Sequence, residues 1–559
     1  MVQKIYLSLT TSPKRLQYIP LLLSDLNIEI FEKIILNIPN KFGRTGQEYV
    51  ITSEITNIKK LYINHIEKDY GPITKILPTL MLSEIQPNDI IITIDDDIKH
   101  NNNIFKLLID YCNKNDVVVT GIGKRLKYWS SKKYGNIPQE FPFEYKPTTS
   151  YVDMLEGFSG VAYKRRYFPD LNLLIKLNNV SNECKLSDDL VLSYYLKLFG
   201  RRIQSLYKLK KYGYSFSSRV KYKLNAYKWG LENDALHKGN GLISNNFNDD
   251  MNKIKYPKCF KKLKSHYLEN KKDIDSIILQ NWHHDFDKIY IINMKNREDR
   301  KIQSLNICEK LNIPKTKINI FNAITMKNDL DKEIKNLNIG PSNLKEFLSE
   351  RRFRDLQYHK SLKDRFPLNQ RYYRQMLVET AVTLSQLNVI KKSVDNNENI
   401  LMLEDDFGPS TQFYNIHNHR LHRQINWSLL YYGDCPSMRS GLKTKLIKRI
   451  DSTKCKLSAN SLIKSYAVCH QSLAFRPSFG KKIFKKNHII PMKYPIDDQV
   501  SQIIQKYKVP YALYDKPIFI QDVNLGIMSN IQNSQKCKWE LQSSDKFGVF
   551  ELHNIRSKK

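Results

Sequence analysis

The 559-residue chain has no apolar run close to the roughly 18 residues that a membrane-spanning helix needs. Its longest, such as Ile90–Ile94, are the length of one strand. Cysteine is sparse: eight residues, at 112, 184, 259, 308, 435, 455, 469 and 537, with no C-x-x-C pair and no zinc-finger spacing. That excludes a small disulfide framework and leads us to expect reduced thiols in a cytosol-like compartment. The segment Met1–Leu9 lacks the basic start, apolar block and small-residue cleavage site of a secretory leader, so a cytoplasmic protein is expected. No G-x-x-x-x-G-K-[ST] loop is present, which removes P-loop phosphate chemistry.

Acidic residues are outnumbered, 56 Asp+Glu against 90 Lys+Arg, a net charge of +34. Nucleic-acid binding is one reading of that excess. The other is an AT-rich genome, such as that of a large DNA virus, which enriches Lys, Asn, Ile and Tyr together. The lysines are spread along the chain, denser only at Lys253–Lys272, with no RGG or RNP-like pattern, so no specific nucleic-acid partner is expected. Such a charge attracts small anions, sugar nucleotides among them. Hydrophobic residues make up 41% and aromatics 11%, enough for real cores, and the length suits several domains.

Strand-like and helix-like segments alternate in two similar programmes, which predicts an α/β fold with mostly parallel sheets. The first has strands at Lys4–Leu9, Lys33–Ile38, Lys60–Asn64, Asp89–Ile94 and Val117–Thr120, with helices over about 15–26 and 74–83. The second has strands at Lys288–Asn293, Ile318–Ala323, Asn399–Leu403, Leu429–Gly433, Tyr466–Phe475 and Pro517–Gln521, with a helix over 378–394. The expected domains are 1–247 and 285–559, joined by a basic linker at 248–284. The halves are alike in architecture but show no residue-by-residue repeat.

Each half places an acidic cluster directly after its most apolar strand, Asp95-Asp96-Asp97 in one and Glu404-Asp405-Asp406 in the other. Ligands of open α/β sheets bind at the carboxyl ends of strands. Adjacent carboxylates repel, and a hard divalent cation, Mn²⁺ or Mg²⁺, offsets that while bridging a pyrophosphate. Acidic residues after a strand also start turns or cap helices. Two clusters in matching contexts favour the metal-dependent transfer of a nucleotide-activated group.

The second half resembles glycosyltransferase family 25, the group that includes lipooligosaccharide and procollagen galactosyltransferases. The likeness is carried, over about 285–535, by Ile289-Tyr-Ile-Ile-Asn-Met-Lys-Asn-Arg297-Glu-Asp-Arg300, Phe321-Asn-Ala-Ile-Thr325, Leu401-Met-Leu-Glu404-Asp-Asp406, Leu429–Gly433, Tyr494-Pro-Ile-Asp497-Asp498 and Pro517–Gln521. Gln386, in Leu384-Ser-Gln-Leu387, stands where the family usually has His. The first half, over about 1–245, is similar to a GT-A glycosyltransferase domain. Its pieces are Ser8-Leu-Thr-Thr11-Ser-Pro-Lys-Arg15, Asp69-Tyr-Gly-Pro-Ile-Thr-Lys75, Asp95–Asp97, Glu156-Gly-Phe-Ser-Gly160 and Ser187-Asp188-Asp189.

These resemblances imply two tandem GT-A-like domains, with roles residue by residue. Asp95, Asp97 and His237 in the first half, and Glu404 and Asp406 in the second, are the implied metal ligands. Thr10, Thr11, Arg15, Lys75 and Asp96, and Asn293, Arg297, Arg300 and Asp405, are the implied donor contacts, since Arg can fork onto phosphate. Asp188 or Asp189, and Asp497 or Asp498, are the implied bases that deprotonate an acceptor hydroxyl, with Asp189 and Asp497 preferred. Each pair reads equally as a helix start. His470 is a weaker metal candidate, and Gly157 and Gly160 allow close backbone approach or form a turn. The implied function is hexose transfer, galactose or glucose, from a nucleoside-diphosphate donor, UDP-linked by expectation, to a glycan or protein hydroxyl. The alternative is that one domain catalyses and the other is an inactive scaffold or glycan-binding module.

Overall fold

The computed structural model describes residues 3–126, 143–144, 151–206, 225–226, 251–326, 328–338, 344, 370–433, 445–446, 462–464, 472–484, 496, 500, 503–504, 507–514, 518–521, 540–544 and 549–553. The chain divides into two compact units, Val2–His284 and Asp285–Lys559, each an α/β structure around its own sheet.

In the first unit the strands are β1 (Ile5–Thr10), β2 (Lys33–Pro39), β3 (Leu61–Ile66), β4 (Ile90–Thr93), β5 (Ile98–Lys99), β6 (Val118–Leu126), β7 (Phe143–Glu144), β8 (Tyr151–Val152), β9 (Met154–Lys164), β10 (Ile203–Ser205) and β11 (Asn225–Ala226). They form a sheet in the order β3-β2-β1-β4-β9-β6-β10-β8, with β7 on β6, while β5 pairs with β11. β3, β2, β1 and β4 run parallel; β9 lies antiparallel between β4 and β6, and β10 returns parallel to β6. The continuous Ile90–Ile92 run is fully buried, as a strand covered on both faces must be. The helix expected over 15–26 is split into a 3-10 turn, Leu16–Tyr18, and a short α-helix, Ile19–Ser24, with Pro20 in its first turn.

The second unit carries β12 (Lys288–Asn293), β13 (Ile318–Asn322), β14 (Ile400–Glu404), β15 (Phe407–Pro409), β16 (Leu429–Gly433), β17 (Lys445–Leu446), β18 (Leu462–Lys464), β19 (Ser472–Phe475), β20 (Tyr511–Tyr514), β21 (Phe519–Gln521), β22 (Glu540–Ser544) and β23 (Val549–His553). Its sheet order is β13-β12-β14-β19-β16-β20-β18-β17. Six strands repeat the first unit in order and direction. β13, β12 and β14 are parallel, as are β2, β1 and β4; β19 runs antiparallel to β14 and β16, as β9 does to β4 and β6. β20 is parallel to β16, as β10 is to β6. Even the irregularity recurs, with a register shift at Thr120/Ile122 of β6 and one at Tyr431/Gly433 of β16. The likeness of the halves, invisible as a sequence repeat, is therefore topological.

Two expectations change. The segment expected as a basic linker is not without structure: its residues 251–284 hold the helices Met251–Glu269 and Lys271–Gln280 and fall in the first unit. Tyr256, Cys259, Phe260, Leu263 and Tyr267 are buried, a helical stripe that turns inward while the lysines between them face out. Nor are all cysteines reduced: Cys184 and Cys259 form a disulfide across 75 residues, and Cys112 and Cys308 are free and buried. Pairing at that separation leaves no spacing signal in a sequence. Among the described residues no helix is long and apolar enough to cross a membrane.

Candidate active sites

β1 and β4 lie side by side with Ser8 opposite Thr93, so the turn after β1 and the acidic triplet after β4 emerge together at the carboxyl end of the sheet. There Thr11 donates its hydroxyl to Asp96 at 2.6 Å, and the Arg15 guanidinium reaches Asp96 and Asp97 at 3.0 Å each. Thr10 stands apart from the carboxylates, its hydroxyl donating to the Asn37 carbonyl. Asp96 is buried; burial lifts its carboxyl above the usual range, against the pull of Arg15 and Thr11. Burial and the neighbouring Asp95 and Asp96 push Asp97 up to about 7, with Arg15 opposing.

Lys75 enters from a 3-10 turn, Gly71–Lys75, that Asp69 organises by accepting from the Gly71 N–H and the Thr74 hydroxyl. Gly71 has φ +78°, and a Cβ there would lie 2.5 Å from the Lys185 carbonyl, so only glycine fits. The Lys75 ammonium sits 2.6 Å from Asp95 and 2.8 Å from Asp188. Burial works against that charge, but Asp188 and Asp95 more than offset it and hold Lys75 well above its ordinary value.

Asp188 and Asp189 open the helix Asp188–Leu198 after Ser187, in the first turn where the helix dipole favours negative charge. Their reading as a helix start therefore holds. Asp189 accepts from the Gly157 N–H at 2.9 Å. Burial and the adjacent Asp188 push it up to about 8, with Lys75 pulling the other way. Gly157 belongs to the excursion of β9 created by the register shift, in which Ile122 faces Glu156 and Thr120 faces Val161. Such bulges re-aim strand residues toward a site, and Gly160, at φ +81°, makes the turn possible. Glu156, quoted in the sequence reading without a role, is buried and pairs with Lys124 at 2.5 Å. His100, also unassigned there, is buried beside Phe105, and burial lowers it to about 4.

The second unit repeats the arginine geometry. Arg300, from the helix Glu298–Lys310, lies 2.9 Å from Asp405 and 3.9 Å from Asp406, and Ser304 donates to the Asp405 carbonyl. Burial raises the Asp405 carboxyl, with Arg300 opposing. β12 and β14 place Ile292 opposite Glu404, so Asn293 ends its strand beside the cluster; it is buried and donates to the Met294 carbonyl. Arg297 instead pairs locally with Asp299. Gln386 is buried in the helix Gln370–Asn396. Asp497, Asp498, His237 and His470 lie outside the described residues.

Of the residues expected to hold metal, His237 lies outside the described residues, while Asp95, Asp97 and Asp406 each lie beside a cation of the chain itself. Among the described residues no three His, Cys, Asp or Glu side chains are grouped to hold a metal ion. Lys75 and Arg15 meet Asp95, Asp96 and Asp97, and Arg300 meets Asp405, so the charge the metal was expected to offset is met by the chain itself. As placed, these residues do not fit a divalent cation.

Comparison with known proteins bears on the second unit. No curated protein matches the chain. Among solved structures, TarS 1–349 of S. aureus is 13% identical over 56% of this chain and 89% of its own, with a TM-score of 0.24. The 2-C-methyl-D-erythritol 4-phosphate cytidylyltransferase of Francisella tularensis is 12% identical over 37% and 92%, with a TM-score of 0.23. Likenesses this slight assign neither fold nor function. The family model that matches is glycosyltransferase family 25, described as an LPS biosynthesis protein, over residues 286–471, a span within the second unit that contains Arg300, Glu404, Asp405 and Asp406.

Proposed function

We propose that the chain is a tandem glycosyltransferase, each unit moving a sugar from a nucleoside diphosphate to an acceptor hydroxyl. The observation that carries this is the repetition of one framework. The family 25 match covers the acidic cluster of the second unit, and the first unit has the same order and direction of six strands. It also has an arginine-to-carboxylate link from the segment that follows the first strand. A UDP-linked donor and galactose or glucose as the sugar rest on the family resemblance alone, because a fold does not fix a substrate.

In the first unit the transfer is a single displacement. The acceptor hydroxyl oxygen bonds to the anomeric carbon as the bond from that carbon to the diphosphate oxygen breaks. The hydroxyl proton passes to Asp189, whose raised affinity for a proton suits a base working near neutral pH. The Gly157 N–H and the Asp188–Lys75 pair fix its position. Charge developing on the leaving diphosphate is met by Lys75 and Arg15, held in place by the carboxylates they already contact. Mn²⁺ or Mg²⁺ would have to displace those cations, so no step is assigned to a metal. In the second unit Arg300 takes the arginine role, and Asp497 or Asp498 is the proposed base.

The test is turnover across a panel of UDP-sugars, with and without Mn²⁺, by the wild type and by Asp97→Ala and Asp406→Ala. Loss of a different donor in each variant supports two active units. Failure of the wild type to turn over or bind any nucleotide sugar, by calorimetry, overturns the proposal.

A further inference from the structure

The helix Met251–Glu269, read from sequence as linker, carries a buried cation that the transfer step above does not use. Lys255 is only 5% exposed, and its ammonium donates to the Leu186 carbonyl at 2.8 Å, two residues before Asp188. A long flexible side chain loses considerable entropy when fixed, and a buried ammonium is costly unless paired. Burial lowers its ammonium's hold on the proton, and the negative charge of Asp188 and Asp189 offsets part of that.

The helix is fastened where this matters. Cys259, one turn beyond Lys255, is bonded to Cys184, just ahead of the Ser187–Asp189 turn, and both are fully buried. The Tyr194 hydroxyl donates to the Leu263 carbonyl, and its ring packs edge-on against Phe260. Tyr256 adds its ring beside Lys255 and Lys124, 5.2 and 6.0 Å from the two ammonium groups.

We propose that Lys255 is a positioning residue for the Asp188–Asp189 pair, placed by a helix that the Cys184–Cys259 disulfide staples to the site. It pins the backbone turn that begins the helix of the pair, and it supplies a second cation to the pair beside Lys75. The groups facing the pair are Lys75 from the 3-10 turn, Asp95 after β4, Glu156, Tyr163 and the Gly157 N–H from β9, and Lys255 and Tyr256 from this helix; Arg44 also bears on Lys255. Without Lys255 the cluster gains one net negative charge, and Asp189 holds its proton more tightly. The inference rests on the glycosyl-transfer reading only for what Asp189 does, not for where Lys255 sits.

The experiment is infrared pH titration of the protonated Asp189 carboxyl band, assigned with Asp189→Asn, in wild type, Lys255→Met, Lys255→Arg and the Cys184→Ser/Cys259→Ser pair. We expect the band of Lys255→Met to disappear roughly one pH unit higher, Lys255→Arg to titrate as wild type, and the double serine variant to shift the same way as Lys255→Met. UDP-sugar turnover at pH 7 should fall roughly tenfold in Lys255→Met and recover at higher pH, whereas a purely structural defect would lower it at every pH. A band that titrates identically in wild type and Lys255→Met overturns the inference. If no UDP-sugar is bound or turned over, the glycosyl-transfer reading fails, and the band shift still decides the role of Lys255.

Discussion

Lys75 stands 2.8 Å from Asp188 across more than a hundred residues of chain, and its second contact, with Asp95, ties the helix that begins at Asp188 to the acidic turn after β4. Neither carboxylate has this cation in the sequence neighbourhood, so the site exists only once the sheet has closed. Replacing Lys75 by Met should leave Asp188 buried without its main partner and destabilise the first unit by about 3 kcal/mol. Urea unfolding should report that loss, and nucleotide-sugar turnover by the first unit should fall at least a hundredfold in folded protein. Turnover close to wild type would show that the Lys75 bridge is structural only.

The raised carboxyls set a pH signature. Asp189 binds its proton up to about pH 8 in the folded protein and Asp97 up to about 7, both well above ordinary aspartate. Between pH 4 and 8 the folded state therefore holds more protons than the unfolded chain, and stability falls as pH rises through that window. Transfer moves the opposite way, because a base must be unprotonated, so turnover should climb until about pH 8. Urea midpoints and rates at pH 6, 7, 8 and 9 check both trends. Asp189→Asn should flatten the stability slope and abolish the rising limb.

Much of this was legible in the residues. The Ile90–Ile92 run identified β4, and the chemistry was expected at its end, where Asp95–Asp97 lie. Thr11, Arg15 and Lys75, the donor contacts that the resemblance implies, converge on those carboxylates. What failed did so for physical reasons. The lysine density at 253–272 masked the stripe Tyr256, Cys259, Phe260, Leu263 and Tyr267, whose helical spacing was the available signal of a packed helix. Glu156 stands in a quoted motif but without a role, because its partner Lys124 meets it only through strand pairing, and His100 is a lone histidine whose burial the sequence does not signal. Arg297, in the same motif as Arg300, pairs with Asp299, two residues away.

Loss of the disulfide should cost stability more than its two sulfur atoms suggest. Closing 75 residues of chain restricts the unfolded ensemble by about 4 kcal/mol in the loop-entropy account, and measured values commonly run at 2–4. The double serine variant should therefore unfold at a clearly lower urea concentration. Unfolding of the wild type under strong reductant should match it. Equal midpoints for oxidised and reduced protein would mean that side-chain packing alone holds the helix Met251–Glu269.

The paired arginines offer the sharpest check on the idea of one framework used twice. Arg15, in the turn after β1, and Arg300, in the helix after β12, each reach the middle carboxylate of their cluster, at 3.0 and 2.9 Å. If both hold a donor-binding turn, Arg15→Met and Arg300→Met should each weaken binding of a nucleoside diphosphate at one site and leave the other intact. Each buried pair contributes charge-assisted hydrogen bonds, so the expected loss is about 2 kcal/mol, a roughly thirtyfold weaker Kd at the affected site. Calorimetry with UDP should resolve two sites in wild type and one strong site in each variant. A single site that only one substitution abolishes would assign binding to that unit and leave the other as a scaffold built on the same six strands.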